Sequence, residues 1–130
     1  MSVSVRLDHV VIAVSDWKRS NAFYGAVLGA DLVELERHRY AYAIGDQRLN
    51  VHGPGTDAGD LVARDPVRPG NSDLCFEWQG TSEEAAEHLR SHGVEIVAGP
   101  VEREGVRGRG ESVYFRDPDG TLLELISYKT

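Results

Sequence analysis

The chain has 130 residues, 41% hydrophobic and 27% charged, which fits one ordinary globular domain with a real core. Its net charge of −7 argues against a nucleic-acid partner, whose phosphates need a basic face. One cysteine, Cys75, excludes an internal disulfide, no apolar run nears the roughly 18 residues of a membrane span, and Met1 to Arg6 lacks a signal-peptide layout, so a cytoplasmic address with no membrane partner is expected.

Leu7 to Val14 is β-branched and apolar, the composition of a strand covered on both faces, with His9, Val11 and Ala13 sharing one side. Asp16 is the expected cap of a helix reaching Leu28, with Gly29 as its stop. Leu32 to Leu35, Tyr40 to Ile44 and Arg48 to His52 read as three short strands. Residues 53 to 71, rich in Gly, Pro and Asp, read as a loop dividing the chain. Ser72 to Trp78 is the next expected strand, with Asp73, Cys75 and Glu77 on one side. Thr81-Ser82-Glu83-Glu84 is a capping box opening a helix closed by Gly93. Val94 to Val97 reads as a strand, Gly99 to Gly110 as a loop rich in Gly and Arg, and Ser112 to Arg116 and Leu122 to Tyr128 as the last strands. Asp119-Gly120 between these two suits a two-residue hairpin turn. In the final strand Glu124 shares a face with Leu122 and Ile126, and a carboxylate among apolar neighbours needs a partner, a proton or a metal.

The two halves repeat. His9 and Asp73 are 64 residues apart, as are Gly29 and Gly93, and 74 residues separate Asn50 from Glu124. The fold expected is α+β, a single domain over 1–130 built from two βαβββ modules at about 5–53 and 72–128. Together these would form a curved eight-strand sheet around a cleft suited to a small molecule.

The segments Leu7-Asp8-His9-Val10, Phe23-Tyr24…Leu28-Gly29, Gly99-Pro100-Val101 and Phe115-Arg116-Asp117-Pro118-Asp119-Gly120…Leu123-Glu124 together resemble the vicinal oxygen chelate superfamily. That superfamily includes glyoxalase I, fosfomycin-resistance proteins, extradiol dioxygenases and bleomycin-binding proteins. The likeness extends over nearly the whole chain and is greatest to short glyoxalase-domain proteins with Asn-x-His on the fourth strand. It implies metal ligands at the places of His9, Asn50, Asp73 and Glu124. His9 and Glu124 suit a divalent Zn, Ni, Mn, Fe or Co ion; Asn50 is a poor ligand, and Asp73 stands where histidine is usual. His52, two residues past Asn50, shares its face about 7 Å further along and could take the vacant place. The resemblance therefore implies His9, His52, Asp73 and Glu124 as the metal set, and Asn50, Arg48 and Tyr114 as substrate contacts. Glu124, or else Asp73, is the implied catalytic base. The implied activity is that of a metal-dependent glyoxalase-like lyase or isomerase, dimeric, acting on a small-molecule substrate with vicinal oxygens. The alternative is a metal-free binding or resistance protein of the bleomycin-binding type; a dioxygenase ranks third.

Plainer readings stand beside these. His9 could be a core histidine, Glu124 a structural carboxylate paired with Arg48, His52 a solvated loop-edge residue, and Asp73 a partner of the Asn71-Ser72 backbone. Cys75 reads as a small buried filler. Arg103, Arg107 and Arg109 read as a solvated loop that could also meet an anionic substrate.

Overall fold

A computed structural model describes residues 2–36 and 39–129. The chain divides into two compact units, residues 1–68 and 69–130. Each is one βαβββ module with a four-stranded mixed sheet, as the repeat predicts.

The first unit runs β1 (Val10–Ala13), α1 (Trp17–Val27), β2 (Asp31–Leu35), β3 (Arg39–Ile44) and β4 (Gln47–His52), with sheet order β1-β4-β3-β2. Asp16 starts α1 because its backbone is extended and its side chain accepts from the Arg19 amide at 3.0 Å. The helix stops where Gly29 turns to a φ of +66°, a conformation that costs glycine little. The inner face of α1 presents Ser20, Tyr24 and Val27. Tyr24 stacks on Tyr42 of β3 at 4.7 Å. The Tyr42 hydroxyl accepts from Ser20 and donates to Asn21 Oδ1 at 2.7 Å, so the buried phenol has its polar needs met. Tyr42 pairs with Leu49 across the β3–β4 ladder and Tyr40 with Val51, which fixes the helix-side face. By the two-residue alternation of strands, Arg48, Asn50 and His52 stand on the other face.

β1 is shorter than the sequence predicts. Residues 2 to 9 join no strand, and Val3, Val5 and Leu7 are more than four-fifths exposed. The reason is register: Val10 pairs with Leu49 in a parallel ladder, so Leu7 would lie opposite Asp46, in the turn before β4 begins. No ladder remains for it to join.

The second unit runs β5 (Asp73–Glu77), α2 (Ser82–Ser91), β6 (Ala98–Gly105), β7 (Gly108–Arg116) and β8 (Leu122–Ser127), ordered β5-β8-β7-β6. The capping box forms: the Glu84 amide donates to Thr81 Oγ1, and Glu84 accepts from the Thr81 amide. α2 lays Ala85, Ala86 and Leu89 onto β7 and β8, where Val113, Phe115, Leu123 and Leu125 are buried. Each large side chain so buried contributes about 1.5–3 kcal/mol.

Three sequence expectations are corrected in this unit. Val94–Val97 is not a strand, although the Val97 amide does donate to the Tyr114 carbonyl at 2.7 Å. The stretch expected as a loop from Gly99 to Gly110 is instead most of a hairpin, β6 and β7. Its glycines mark closeness rather than disorder: a side chain at Gly110 would run into the Ser127 carbonyl. The turn between β7 and β8 is wider than two residues. It spans Asp117 to Thr121 and closes around the Asp117 carboxylate, which accepts from the Asp119 and Thr121 amides at 2.9 Å each. Gly120 there has a φ of +96°. No helix among the described residues is long and apolar enough to cross a membrane.

Candidate functional site

Among the described residues of the first unit, the sheet face away from α1 carries four of the sequence-predicted site residues or their neighbours. His9 ends the irregular segment just before β1, and its ring Nδ1 lies 2.7 Å from Asp8 Oδ1. The ionised carboxylate only accepts, so Nδ1 donates and a neutral ring keeps its lone pair on Nε2. Hydrogen bonding from His9, then its charge, holds the Asp8 carboxyl below the usual range, with a further contribution from the Arg48 guanidinium. The β1–β4 register, carried one residue further back, sets His9 opposite Arg48. On β4, part-buried Arg48 donates Nε–H to Asn50 Oδ1 at 2.8 Å. Asn50 pairs with Val11 on one side and Ala41 on the other. His52 ends β4, part-buried, and its carbonyl accepts from Val14 at 2.8 Å. Asn50 thus has its oxygen engaged by the Arg48 guanidinium.

In the second unit the corresponding parallel pair is β5 and β8. Cys75 lies opposite Glu124, Asp73 opposite Leu122, and Tyr114 of β7 opposite Glu124. Glu124 is part-buried, and its Oε2 accepts from Ser112 Oγ at 2.5 Å. Withdrawal from water first, then the Glu124 charge and its hydrogen bond, push the Cys75 thiol up to about 12. Cys75 nonetheless reaches the surface, contrary to its expected role as a buried filler. A thiol held protonated is a poor nucleophile, so Cys75 shapes the site instead of attacking from it. Asp73 is exposed at the start of β5. Tyr114 accepts from Arg103 Nε at 2.9 Å, and the Arg103 guanidinium lies 5.5 Å above its ring centre. The other two arginines of the hairpin are taken by carboxylates, Arg107 by Glu77 at 2.9 Å and Arg109 by Glu102 at 3.0 Å.

Gly99, inside the Gly-Pro-Val segment, has a φ of +106° and sits against the Ser112 carbonyl, where β6 slips register between Ala98 and Val101. The motif thereby lets β6 approach the strand residue that holds Glu124. Ser112 and Asp8, the residues that fix Glu124 and His9, were not foreseen as site residues. Asp8 stood beside His9 in the sequence, and Ser112 stood on the same strand face as Tyr114; those were the available signals. Among the described residues no three His, Cys, Asp or Glu side chains gather closely enough to hold a metal ion. His9, with its Nε2 lone pair, and Glu124, with one oxygen unclaimed by Ser112, remain donors of suitable chemistry.

The chain belongs to the Glyoxalase/Bleomycin resistance protein/Dioxygenase superfamily, whose family model matches residues 6–125. It is 41% identical over 128 residues to the glyoxalase domain-containing protein RDO1 of Mycosarcoma maydis, spanning 98% of this chain and 71% of that protein. It is 37% identical over 123 residues to virulence protein STM3117 of Salmonella typhimurium, spanning 95% of this chain and 84% of the relative. The crystal structure of STM3117 matches with a TM-score of 0.89 over 98% of this chain and all of the other. An integron cassette protein from the mobile metagenome of V. cholerae matches at 40% identity and a TM-score of 0.88, over 99% and 98% of the two chains. The superfamily includes metal-dependent enzymes and dioxygenases. Relatives at lower identity are named metallothiol transferase FosB (Shouchella clausii, 30% over 122 residues) and lactoylglutathione lyase (Salmonella typhimurium, 28% over 145).

Proposed function

We propose that this protein is a small-molecule enzyme of the glyoxalase-like lyase or isomerase type, working as a homodimer with a divalent ion. His9 and Glu124 would hold the ion, with His52 or Asp73 as further ligands. The observation that supports this most is the state of His9: its Nδ1 is tied to Asp8, which orients the ring and keeps Nε2 available, as carboxylates behind metal-binding histidines do. When bound, the ion would polarise neighbouring oxygens of the substrate as a Lewis acid. Glu124 keeps one oxygen clear of Ser112, and a carboxylate so oriented can take a proton from substrate carbon. Asp73, exposed on the same face, is the alternative base. The protonated Cys75 beside Glu124 contributes no charge of its own, which leaves the acid as the reactive group there.

The test is a thermal melt with added Mn²⁺, Zn²⁺, Ni²⁺ or Co²⁺, before and after EDTA. This reading expects stabilisation that EDTA reverses and that Glu124→Ala and His9→Ala both remove. A second reading, a metal-free binding protein for a small molecule, is favoured by the Arg48–Asn50 bond, which places a cation where a third ligand would sit. It expects melts that are indifferent both to the ions and to EDTA.

A further inference from the structure

We infer that Arg48, oriented by Asn50, is an oxyanion-binding residue, so that the small molecule this site takes carries a carboxylate or phosphoryl group. This rests on the site described above as the place where a small molecule binds, but not on the presence of a metal. Guanidinium groups in this chain are satisfied in two ways. Arg68, Arg90, Arg107 and Arg109 each lie within ion-pair distance of a carboxylate, while Arg39, Arg103 and Arg116 donate to backbone carbonyls or, for Arg103, also to a phenol oxygen. Arg48 is part-buried on a strand, and among the described residues of its unit no carboxylate lies within that distance; its hydrogen-bond partner is a neutral amide. A part-buried cation held by a neutral acceptor keeps its full charge, and such a charge calls for an anion.

The geometry sets what kind of anion. Arginine nitrogen only donates, so the Asn50 amide must turn its oxygen to Nε and present its Nδ2 hydrogens outward. With Nε committed, the two Nη groups form the remaining fork, whose spacing matches two oxygens of a carboxylate or a phosphoryl group. Asn50 Nδ2 adds a donor from the same strand face, two residues away. An acid at position 50 would have oriented the fork equally well while cancelling its charge; asparagine orients it without doing so. Asp8, the nearby acid, has its oxygen on His9 and a side chain 91% exposed, so water screens it from an anion at Arg48. The hairpin arginines differ, since Arg107 and Arg109 are paired with carboxylates and Arg103, still charged, is exposed to water with both Nε and Nη1 engaged by Tyr114 and the Glu102 carbonyl.

The experiment follows the Arg48 Nε–H resonance by NMR in the full-length protein during titration with inorganic phosphate and, separately, with lactate. The signal is assigned by its loss in Arg48→Lys, and chloride at matched ionic strength is the control. The inference expects a saturable shift with at least one of the two probes, carboxylate or phosphoryl according to which one saturates. It also expects at least a 10-fold weaker Kd in Arg48→Gln, read from neighbouring backbone amides, with Arg48→Lys in between. Asn50→Asp, which supplies a competing charge, should weaken binding as much as Arg48→Gln. No saturable shift with either probe in the wild type, or an unchanged Kd in Arg48→Gln, overturns it. Metal binding measured on the same samples separates the two proposals: a protein that binds the anion but no metal keeps this inference and loses the metal-dependent enzyme, and the reverse result does the opposite.

Discussion

The two units share one architecture and differ in the charge they present from it. In the first, the parallel pair β1–β4 brings up an imidazole, a guanidinium and an amide. In the second, the equivalent pair β5–β8 brings up a carboxylate, a protonated thiol and an exposed aspartate. Asn50 and Glu124 hold corresponding places, each the strand partner of a first-strand residue, Val11 or Cys75. They differ by the charge of one side chain, and the neighbours differ with it: the amide holds a cation, while the acid takes a serine hydroxyl and adds to the burial that keeps a neighbouring thiol protonated. Duplication therefore supplied the scaffold twice, and substitution at matched positions gave the copies opposite electrostatics.

The largest expected way to break this contrast is through Cys75. A raised native pKa means the thiol stays protonated up to about pH 12, whereas in the unfolded chain it ionises near 9.0. Stability linked to that proton is therefore intact below pH 9 and falls as pH climbs toward 12. At pH 9, alkylation by iodoacetamide should be on the order of several hundred-fold slower in the native protein than in urea, because so little thiolate is present. Glu124→Gln removes one of the causes and should raise the native rate several-fold; an unchanged rate would show that the acid does not control the thiol.

A smaller effect comes from the strand backbone behind the acid. Gly99→Ala forces a Cβ into the Ser112 carbonyl at a positive φ and should destabilise the protein by about 2–4 kcal/mol, measured by urea denaturation. Equal stability would mean that β6 can shift away from β7. Ser112→Ala takes the hydroxyl from part-buried Glu124, leaving it the Cys75 thiol as neighbour, and should cost about 1.5–3 kcal/mol; a loss below about 0.5 kcal/mol would mean that water replaces the hydroxyl at no cost. The smallest contrast is between the two caps. Asp16→Ala and Thr81→Ala should each cost about 1 kcal/mol, with Thr81→Ala the larger because it opens a reciprocal box in which Glu84 also takes part.

Much of this was legible in the sequence, for identifiable reasons. Alternation placed Arg48, Asn50 and His52 on one face and Cys75 with Glu77 on another, because a strand allows only two faces. The caps at Asp16 and Thr81 were legible because their chemistry is local. The hairpin β6–β7 was not, because its glycines serve close approach to Tyr128 and Ser127, partners distant in sequence, while the same residues usually mark loops. The early end of the β1 ladder also escaped, since it depends on where β4 begins. Within the site, residue types pointed to His9 and Glu124, but the holders Asp8 and Ser112 needed distances. That Asn50 accepts from the Arg48 guanidinium is a pairing that spacing alone does not reveal.

Elemental analysis of protein purified without chelators, wild type beside His9→Ala, bears most directly on the proposed chemistry. Near-stoichiometric divalent metal is expected in the wild type, and at least a 10-fold lower content in the variant. Equal content in the two proteins, or none in either, would contradict it.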